Sequence, residues 1–234
     1  MTEPLIQLKH VSKVYGAVGR GQGSAPGVTA LEKLTIDFHV GEFTAIAGPS
    51  GSGKSTLLNL IGTIDAPTHG EIRFQDRRVS GLGEDELADF RLRQFGFVFQ
   101  AYNLIPVLTA VENVEYPLVL QGVPRAERRA RALEALKWVG LEREGDRRPD
   151  LLSGGQQQRV AVARAIVHRP AVVLADEPTA NLDSKTAAAL LDMMLDLNKR
   201  HGITFLFSSH DPVVLSRARR VLHLRDGKLQ DEAE

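Results

Sequence analysis

A chain of 234 residues with 43% hydrophobic content is long enough for one substantial domain with a packed core, which excludes global disorder. Lys plus Arg and Asp plus Glu both number 29, so the neutral balance argues against a polyanion binder, and no nucleic acid is expected as a partner. The absence of cysteine excludes disulfides, thiol catalysis and cysteine metal sites, and it suits a reducing cytosol. The first ten residues carry acid and no long apolar core, so they do not read as a signal peptide. No apolar stretch approaches the ~20 residues of a membrane helix, so any membrane part is expected on another chain.

Alternation over Leu5 to Val11 predicts a strand, with Tyr15 just beyond it. The aperiodic, glycine-rich run from Gly16 to Gly27 reads as a flexible hairpin tip. Leu31 to Val40 is a second strand region, with Leu34, Ile36 and Phe38 on one face. Phe43 to Ala47 is a short apolar run expected as a buried strand, and Thr56 to Ile61 as a helix ended by Gly62. A strand at Glu71 to Phe74, a charged helix at Glu84 to Arg93 and a strand at Phe95 to Phe99 follow, the last ending at Gln100.

From Ala101 to about Pro149 the strand signals stop. Val111 to Leu120 and Arg125 to Val139 have helical spacing, which makes this stretch a helical insertion in a β-α pattern. The basic run at Arg125, Arg128, Arg129 and Arg131 is expected as a solvated face, because Glu127 and Arg131 form an i,i+4 pair. Trp138 is expected to pack, and His39, His69 and His201 to be solvent-facing or structural. A helix from Gln156 to Val167, a continuous apolar strand at Ala171 to Ala175, a helix at Ser184 to Arg200 and a strand at Ile203 to Phe207 complete the pattern. Val221 to Leu224 and Lys228 to Gln230 form a hairpin about Asp226-Gly227, and the last residues read as frayed.

The chemistry concentrates in three places. Gly48-Pro49-Ser50-Gly51-Ser52-Gly53-Lys54-Ser55-Thr56 fits G-x-x-x-x-G-K-[ST] between a strand and a helix. Such a turn points backbone N–H groups at an anion from a positive helix end, while Lys54 reaches the β- and γ-phosphates and Ser55 ligates Mg2+. Asp176 follows a buried strand, where a carboxylate holds the same ion through water. Glu177, pointing to the other side of the strand end, is placed to take a proton from an attacking water. Leu152-Ser153-Gly154-Gly155-Gln156 opens a helix with a serine and two glycines, a second anion site that a single nucleotide does not need, or simply a capped helix start.

With these residues in hand the chain resembles the ATP-binding-cassette family over nearly its whole length. Gly48 to Thr56 is similar to the Walker A motif, Gln100 to the Q-loop glutamine and Leu152 to Gln156 to the signature. Val172 to Glu177 is similar to Walker B with its catalytic glutamate, Asn181-Leu182-Asp183 to the D-loop and His210 to the switch histidine. Tyr15 resembles the aromatic that stacks on adenine. The resemblance implies an α/β fold, a P-loop NTPase core of the RecA-like type with an N-terminal antiparallel β subdomain and an inserted α-helical subdomain. It implies one domain over 1–234, with 1–100 and 159–234 as the ATP-binding core and 101–158 as the helical part.

The mechanism implied is a head-to-tail homodimer, in which Ser153, Gly154 and Gly155 bind the γ-phosphate of ATP held by a second copy's Lys54. Gln100 would sense Mg2+ or water, His210 would hold the γ-phosphate, and the helical lobe would press on an integral membrane permease from the cytoplasmic side of a bacterial inner membrane. The segments Leu104 to Val114 and Asp176 to Asp183 resemble the lipoprotein-release, macrolide-export and cell-division branch. Two readings stay open: an ATPase driving export or extraction of lipoprotein, peptide or drug-like cargo, and an ATPase of a non-transporting mechanotransmission complex. A soluble cassette acting on DNA or ribosomes fits less well, since it would carry a long coiled coil or tandem cassettes. The Gly16 to Gly27 stretch is longer than usual in that branch.

Overall fold

The structure, a computed structural model, describes residues 3–16 and 27–230. Two sheets organise it. The first is antiparallel, with order β2-β1-β4-β5, built from β1 (Ile6–Tyr15), β2 (Val28–Phe38), β4 (His69–Phe74) and β5 (Arg77–Arg78). The second has order β10-β9-β3-β8-β7-β6, from β3 (Phe43–Ala47), β6 (Phe95–Val98), β7 (Val172–Asp176), β8 (Thr204–Ser209), β9 (Arg220–Arg225) and β10 (Lys228–Leu229). All its pairings are parallel except the β9–β10 hairpin. There Asp226 and Gly227 both take left-handed φ, 50° and 75°, as a tight two-residue turn demands.

The parallel sheet is buried on both faces, so β3 and β8 are buried at every residue rather than at alternate ones, and their apolar residues run together. Alternate residues serve opposite cores. Phe43, Ala45, Phe205 and Phe207 pack with the helical side, while Ile46 and Leu206 pack toward the antiparallel sheet and the first helix. Each buried Phe or Leu contributes roughly 1.5–3 kcal/mol over an exposed one, so these strands anchor the fold.

Seven α-helices complete the described residues: α1 (Lys54–Ile61), α2 (Glu84–Gln94), α3 (Ala110–Leu120), α4 (Arg125–Trp138), α5 (Gly154–Ile166), α6 (Ser184–His201) and α7 (Pro212–Leu215). The helices α3 and α4 and a single turn at Pro149–Leu151 lie between β6 and β7, as the helical insertion predicted. Thr109 caps α3 reciprocally with Glu112. The basic face of α4 is neutralised within the chain: Arg128 and Arg129 both reach Glu115 on α3, and Arg131 reaches Glu127. Trp138 stacks on His201, with ring centroids 4.1 Å apart.

One expectation changes, one is refined and one falls outside the described residues. β1 runs to Tyr15 rather than stopping at Val11, because irregular register between Leu8 and Val14 breaks the alternation that marks a strand. Gly62 ends α1 as expected, but without a left-handed turn. Its φ is −75°, the positive value falls on Thr63, and the glycine is needed because a Cβ would sit 2.7 Å from both Leu174 Cδ1 and Phe97 Cε1. Tyr15 pairs with Val28, as a hairpin requires, but the tip expected between Gly16 and Gly27 falls on residues 17–26, outside the described residues, as do the final four.

Candidate nucleotide site

Adjacent parallel strands bring the chemistry together. β3, β8 and β7 are neighbours, with Ala47 opposite Ser209 and Ser208 opposite Asp176. Gly48, Asp176 and His210 therefore emerge together at the C-terminal ends of the strands, where open α/β sheets bind ligands. The turn from Gly48 to Gly53 leads into α1, whose first-turn N–H groups have no intrahelical acceptors. Gly53 has φ 104° and a Cβ there would lie 2.6 Å from the Ala30 carbonyl oxygen, so both conformation and space require glycine.

Lys54 is 7% exposed and donates to the carbonyls of Gly48 (2.8 Å) and Pro49 (3.0 Å), bracing the turn. Its Nζ lies 3.8 Å from Glu177 Oε1. The Ser55 hydroxyl donates to Asp176 Oδ1 at 3.0 Å, and the Ser208 hydroxyl donates to the same oxygen at 2.6 Å. His210 Nδ1 is 3.0 Å from Glu177 Oε1. The carboxylates do not part to opposite sides as strand alternation predicted. Glu177 takes a left-handed φ of 46°, which ends the strand and leaves both acids beside α1. Its N–H is fixed by Ser208 Oγ at 2.9 Å.

The residues suit a magnesium-bearing triphosphate. The Ser52 hydroxyl is buried in the middle of the turn with no partner in the described structure, an acceptor-seeking donor in a ring of N–H groups. Glu177 faces the Lys54 ammonium and Asp176 faces the Ser55 hydroxyl, so a polyphosphate arriving here brings further negative charge that a divalent cation would offset. Among the described residues no group of three or more His, Asp or Glu side chains could hold a metal unaided, which fits an ion completed by phosphate oxygens and water. Ser55 and Asp176 would hold that ion. Such an ion would supply neutralisation of the negative charge on a triphosphate.

Tyr15 lies at the rim. Its hydroxyl donates to Asp65 Oδ2 (2.9 Å), Lys13 Nζ sits 4.8 Å from its ring centroid, and the residue is 41% exposed. Burial pushes the Tyr15 phenol up. Burial opposes ionisation of Asp65 too, but hydrogen bonds from Lys13, Tyr15 and the Ala66 N–H outweigh it and hold that carboxyl below its ordinary value.

The other predicted residues stand apart. Gln100 follows β6 and is exposed; its backbone carbonyl accepts from Asn181 Nδ2 at 3.0 Å. Ser153 caps α5, its hydroxyl accepting from Gln156 N–H while Gln156 Oε1 accepts from Ser153 N–H. That capped start leaves the N–H groups of Gly154 and Gly155 without intrahelical acceptors. Gly155 is packed so closely on α6 that a Cβ would meet Thr186 Cγ2 at 2.5 Å. Leu152 is buried beneath the turn. Asp183 caps α6, accepting from the N–H groups of Lys185 and Thr186 and from the Thr186 hydroxyl, which hold its carboxyl below the ordinary value. Among the described residues no hydrogen bond or ion pair joins 152–156 to the Gly48–Thr56 turn.

Ser208 was not singled out from sequence, although a fully buried serine closing an apolar strand was the available signal. Gln158 and Arg164 on α5 gave no signal of their own, and their partners appear only in the fold.

A phosphate-cradling turn after the central strand, with paired acids two strands away, defines a P-loop nucleoside triphosphatase. A family model described as ABC transporter matches residues 31–180, and the chain belongs to that family as one of its ATPases. The ABC transporter ATP-binding protein MJ0796 of Methanocaldococcus jannaschii is 44% identical over 232 residues, covering 97% of this chain and 96% of that protein. Its cassette in a dimeric post-hydrolysis state bound to ADP and Pi superposes with a TM-score of 0.86 over 98% of both chains.

The macrolide export ATP-binding/permease protein MacB of Marinobacter nauticus is 45% identical over 229 residues, 98% of this chain and 34% of that protein. The pyoverdine export ATP-binding/permease protein PvdT of Pseudomonas entomophila is 45% identical over 233 residues, 100% of this chain and 35% of that protein. The chain thus spans about a third of the length of these two relatives. These likenesses agree with the lipoprotein-release and macrolide-export branch.

Proposed function

We propose that the chain hydrolyses ATP in a head-to-tail homodimer and drives a conformational change in a membrane permease on the cytoplasmic side of a bacterial inner membrane. One observation carries this reading. The chain has two anion-accepting helix starts, α1 and α5, and among the described residues no hydrogen bond or ion pair joins them. A second copy supplies the juxtaposition: the α5 turn, Leu152 to Gln156, closes over the γ-phosphate held by the partner's loop. The dimeric MJ0796 cassette with ADP and Pi supports this arrangement by likeness.

In each site Lys54 and the N–H groups of Gly48 to Thr56 bind the phosphates, and the free area of the Tyr15 ring stacks on adenine. Ser55 would hold Mg2+, Asp176 would hold it through water, and Gln100 would meet the ion or the attacking water from beyond the end of β6. Glu177 accepts the proton of that water, and His210, bonded to Glu177, holds the γ-phosphate. Asp183 fixes α6, against which Gly155 packs. Among the described residues no helix is long and apolar enough to cross a membrane, so the permease would be supplied by other sequence.

The surface for the permease is an apolar groove of about 470 Å³ between β6, α3 and α5, lined by Phe97, Phe99, Ile105, Tyr116 and Leu120. The export relatives favour efflux or extraction of a peptide, lipoprotein or drug-like cargo over a non-transporting role. Light scattering of Glu177→Gln with and without ATP tests the dimer: ATP-dependent doubling of mass is expected, and a monomer at saturating ATP would refute the composite site.

A further inference from the structure

The loop that follows Gln100 is held in an unusual shape. Tyr102 and Asn103 have φ of 60° and 50°, two consecutive non-glycine residues in the left-handed region. Side chains at such φ are sterically strained, so something must hold them there. Arg164 does this. From the third turn of α5 its Nη2 donates to the Tyr102 carbonyl at 2.9 Å and its Nη1 to the Asn103 carbonyl at 2.6 Å. The guanidinium is largely buried at the floor of the apolar groove, and burial depresses its pKa. Among the described residues no carboxylate pairs with it, so its polar contacts are spent on these two carbonyls.

The same helix grips the loop elsewhere. The buried Gln158 donates to the Pro178 carbonyl at 2.6 Å and to the Phe99 carbonyl at 3.4 Å, on the other side of Gln100. At the head of α5 the Tyr102 hydroxyl lies 2.9 Å from where a Gly154 Cβ would stand. Arg164 sits ten residues along from Gly154, about 15 Å down one continuous helix. The loop behind Gln100 is thus fastened to the helix whose first turn is the proposed lid for a second copy's nucleotide.

We propose that Arg164 is a positioning residue that locks the 101–103 loop to α5, so that Gln100 at one site and the Ser153–Gln156 turn at the other move as one body. The inference rests on the role proposed above for Gln100. Removing the guanidinium frees two carbonyls and lets the left-handed pair relax, which displaces Gln100 without touching the residues that bind phosphate. A displacement of about 1 Å at such a group costs up to about a hundredfold in rate.

The test is steady-state ATP hydrolysis by the full chain for Arg164→Met, Arg164→Lys and Gln100→Ala, alone and combined, with melting curves recorded alongside. Arg164→Met is expected to lower kcat by about tenfold to a hundredfold, with KM for ATP within about twofold of wild type. Arg164→Lys, which keeps a donor, is expected to fall between, and it carries the comparison if Arg164→Met does not fold. Because both groups act through one loop, adding Gln100→Ala to Arg164→Met is expected to cost little more than either alone. Asn103→Gly keeps the acceptor carbonyl and accepts left-handed φ freely, so it is expected to return part of kcat to Arg164→Met, which a merely structural role would not allow. Wild-type kcat in Arg164→Met beside an impaired Gln100→Ala, or fully multiplicative losses in the double variant, overturns the proposal. An unimpaired Gln100→Ala overturns instead the reading of Gln100 on which it rests.

Discussion

The starts of α1 and α5 are both helix N-termini with glycines and free N–H groups, yet they are furnished in opposite ways. Around α1 stand an ammonium, two carboxylates and an imidazole, drawn from three adjacent strand ends. The turn at α5 is uncharged from Leu151 to Gln158, and its own Ser153 and Gln156 satisfy its cap. A triphosphate carries enough charge to need the first kind of site, whereas the second adds only N–H groups and a helix dipole. One turn is equipped to bind and react, the other to recognise what is already bound. The same backbone device thus serves chemistry in one place and recognition in the other, and the difference lies in which side chains the sheet delivers.

The largest effect separating the two turns is expected at Glu177. Glu177→Gln keeps the shape and the His210 contact but removes the base, so kcat is expected to fall by roughly 10²–10⁴ while ATP affinity holds. Equilibrium binding of a fluorescent ATP analogue beside turnover checks this, and a variant hydrolysing at the wild-type rate removes Glu177 from the mechanism.

At the other turn Ser153→Arg places a bulky cation where the second copy must close. Turnover is expected to drop to background with nucleotide binding intact. Mixing it with an equally inactive Lys54→Ala chain is the sharper trial. Random pairing of two symmetric copies restores about a quarter of the sites, since a mixed dimer has one sound loop facing one sound lid. No recovery on mixing would mean that the two turns do not share a nucleotide. Ser153→Arg also removes a cap worth about 1 kcal/mol, so melting curves must show the fold retained.

A smaller effect is expected behind α1. Gly62→Ala puts a methyl against Leu174 and Phe97, and overpacking of this kind costs about 1–3 kcal/mol. In a domain of this size each kcal/mol lowers the melting temperature by about 2–4 °C. An unchanged melting temperature would mean that the sheet yields there, and that the glycine is not held by packing.

Much of this was legible because the parallel sheet writes itself plainly. β3 is a run of five buried residues, and its limits coincide with the expectation from sequence. The turn at Gly48 to Thr56 and the acids at 176 and 177 were readable because each sits where an apolar run stops. What escaped depends on neighbours distant in sequence. Gly62 was readable as a helix stop but not as a packing site, because the side chains that crowd it, Phe97 and Leu174, lie 35 and 112 residues away. Arg164 looked like any helix arginine until the fold placed two carbonyls beside it. β5 and α7, of two and four residues, are too short to show a period.

The smallest expected effect lies at the rim of the α1 site. Asp65 is held below its ordinary carboxyl value, with Lys13 Nζ at 2.6 Å and Tyr15 donating to its other oxygen. A carboxyl depressed in the folded state stabilises above its unfolded pKa and loses that contribution as pH falls through the folded one. The pair is partly exposed, so screening limits it to about 0–1 kcal/mol. Asp65→Asn is therefore expected to be slightly less stable than wild type at neutral pH, with the gap closing as pH drops below about 4. Urea unfolding of both proteins across that range measures it. A gap constant with pH would mean that Asp65 acts through its hydrogen bonds to Tyr15 and the Ala66 N–H, which an amide oxygen can accept, rather than through its charge. The turn at α5 has no ionisable side chain of its own, so the pH response assigned to Asp65 belongs to the α1 site alone.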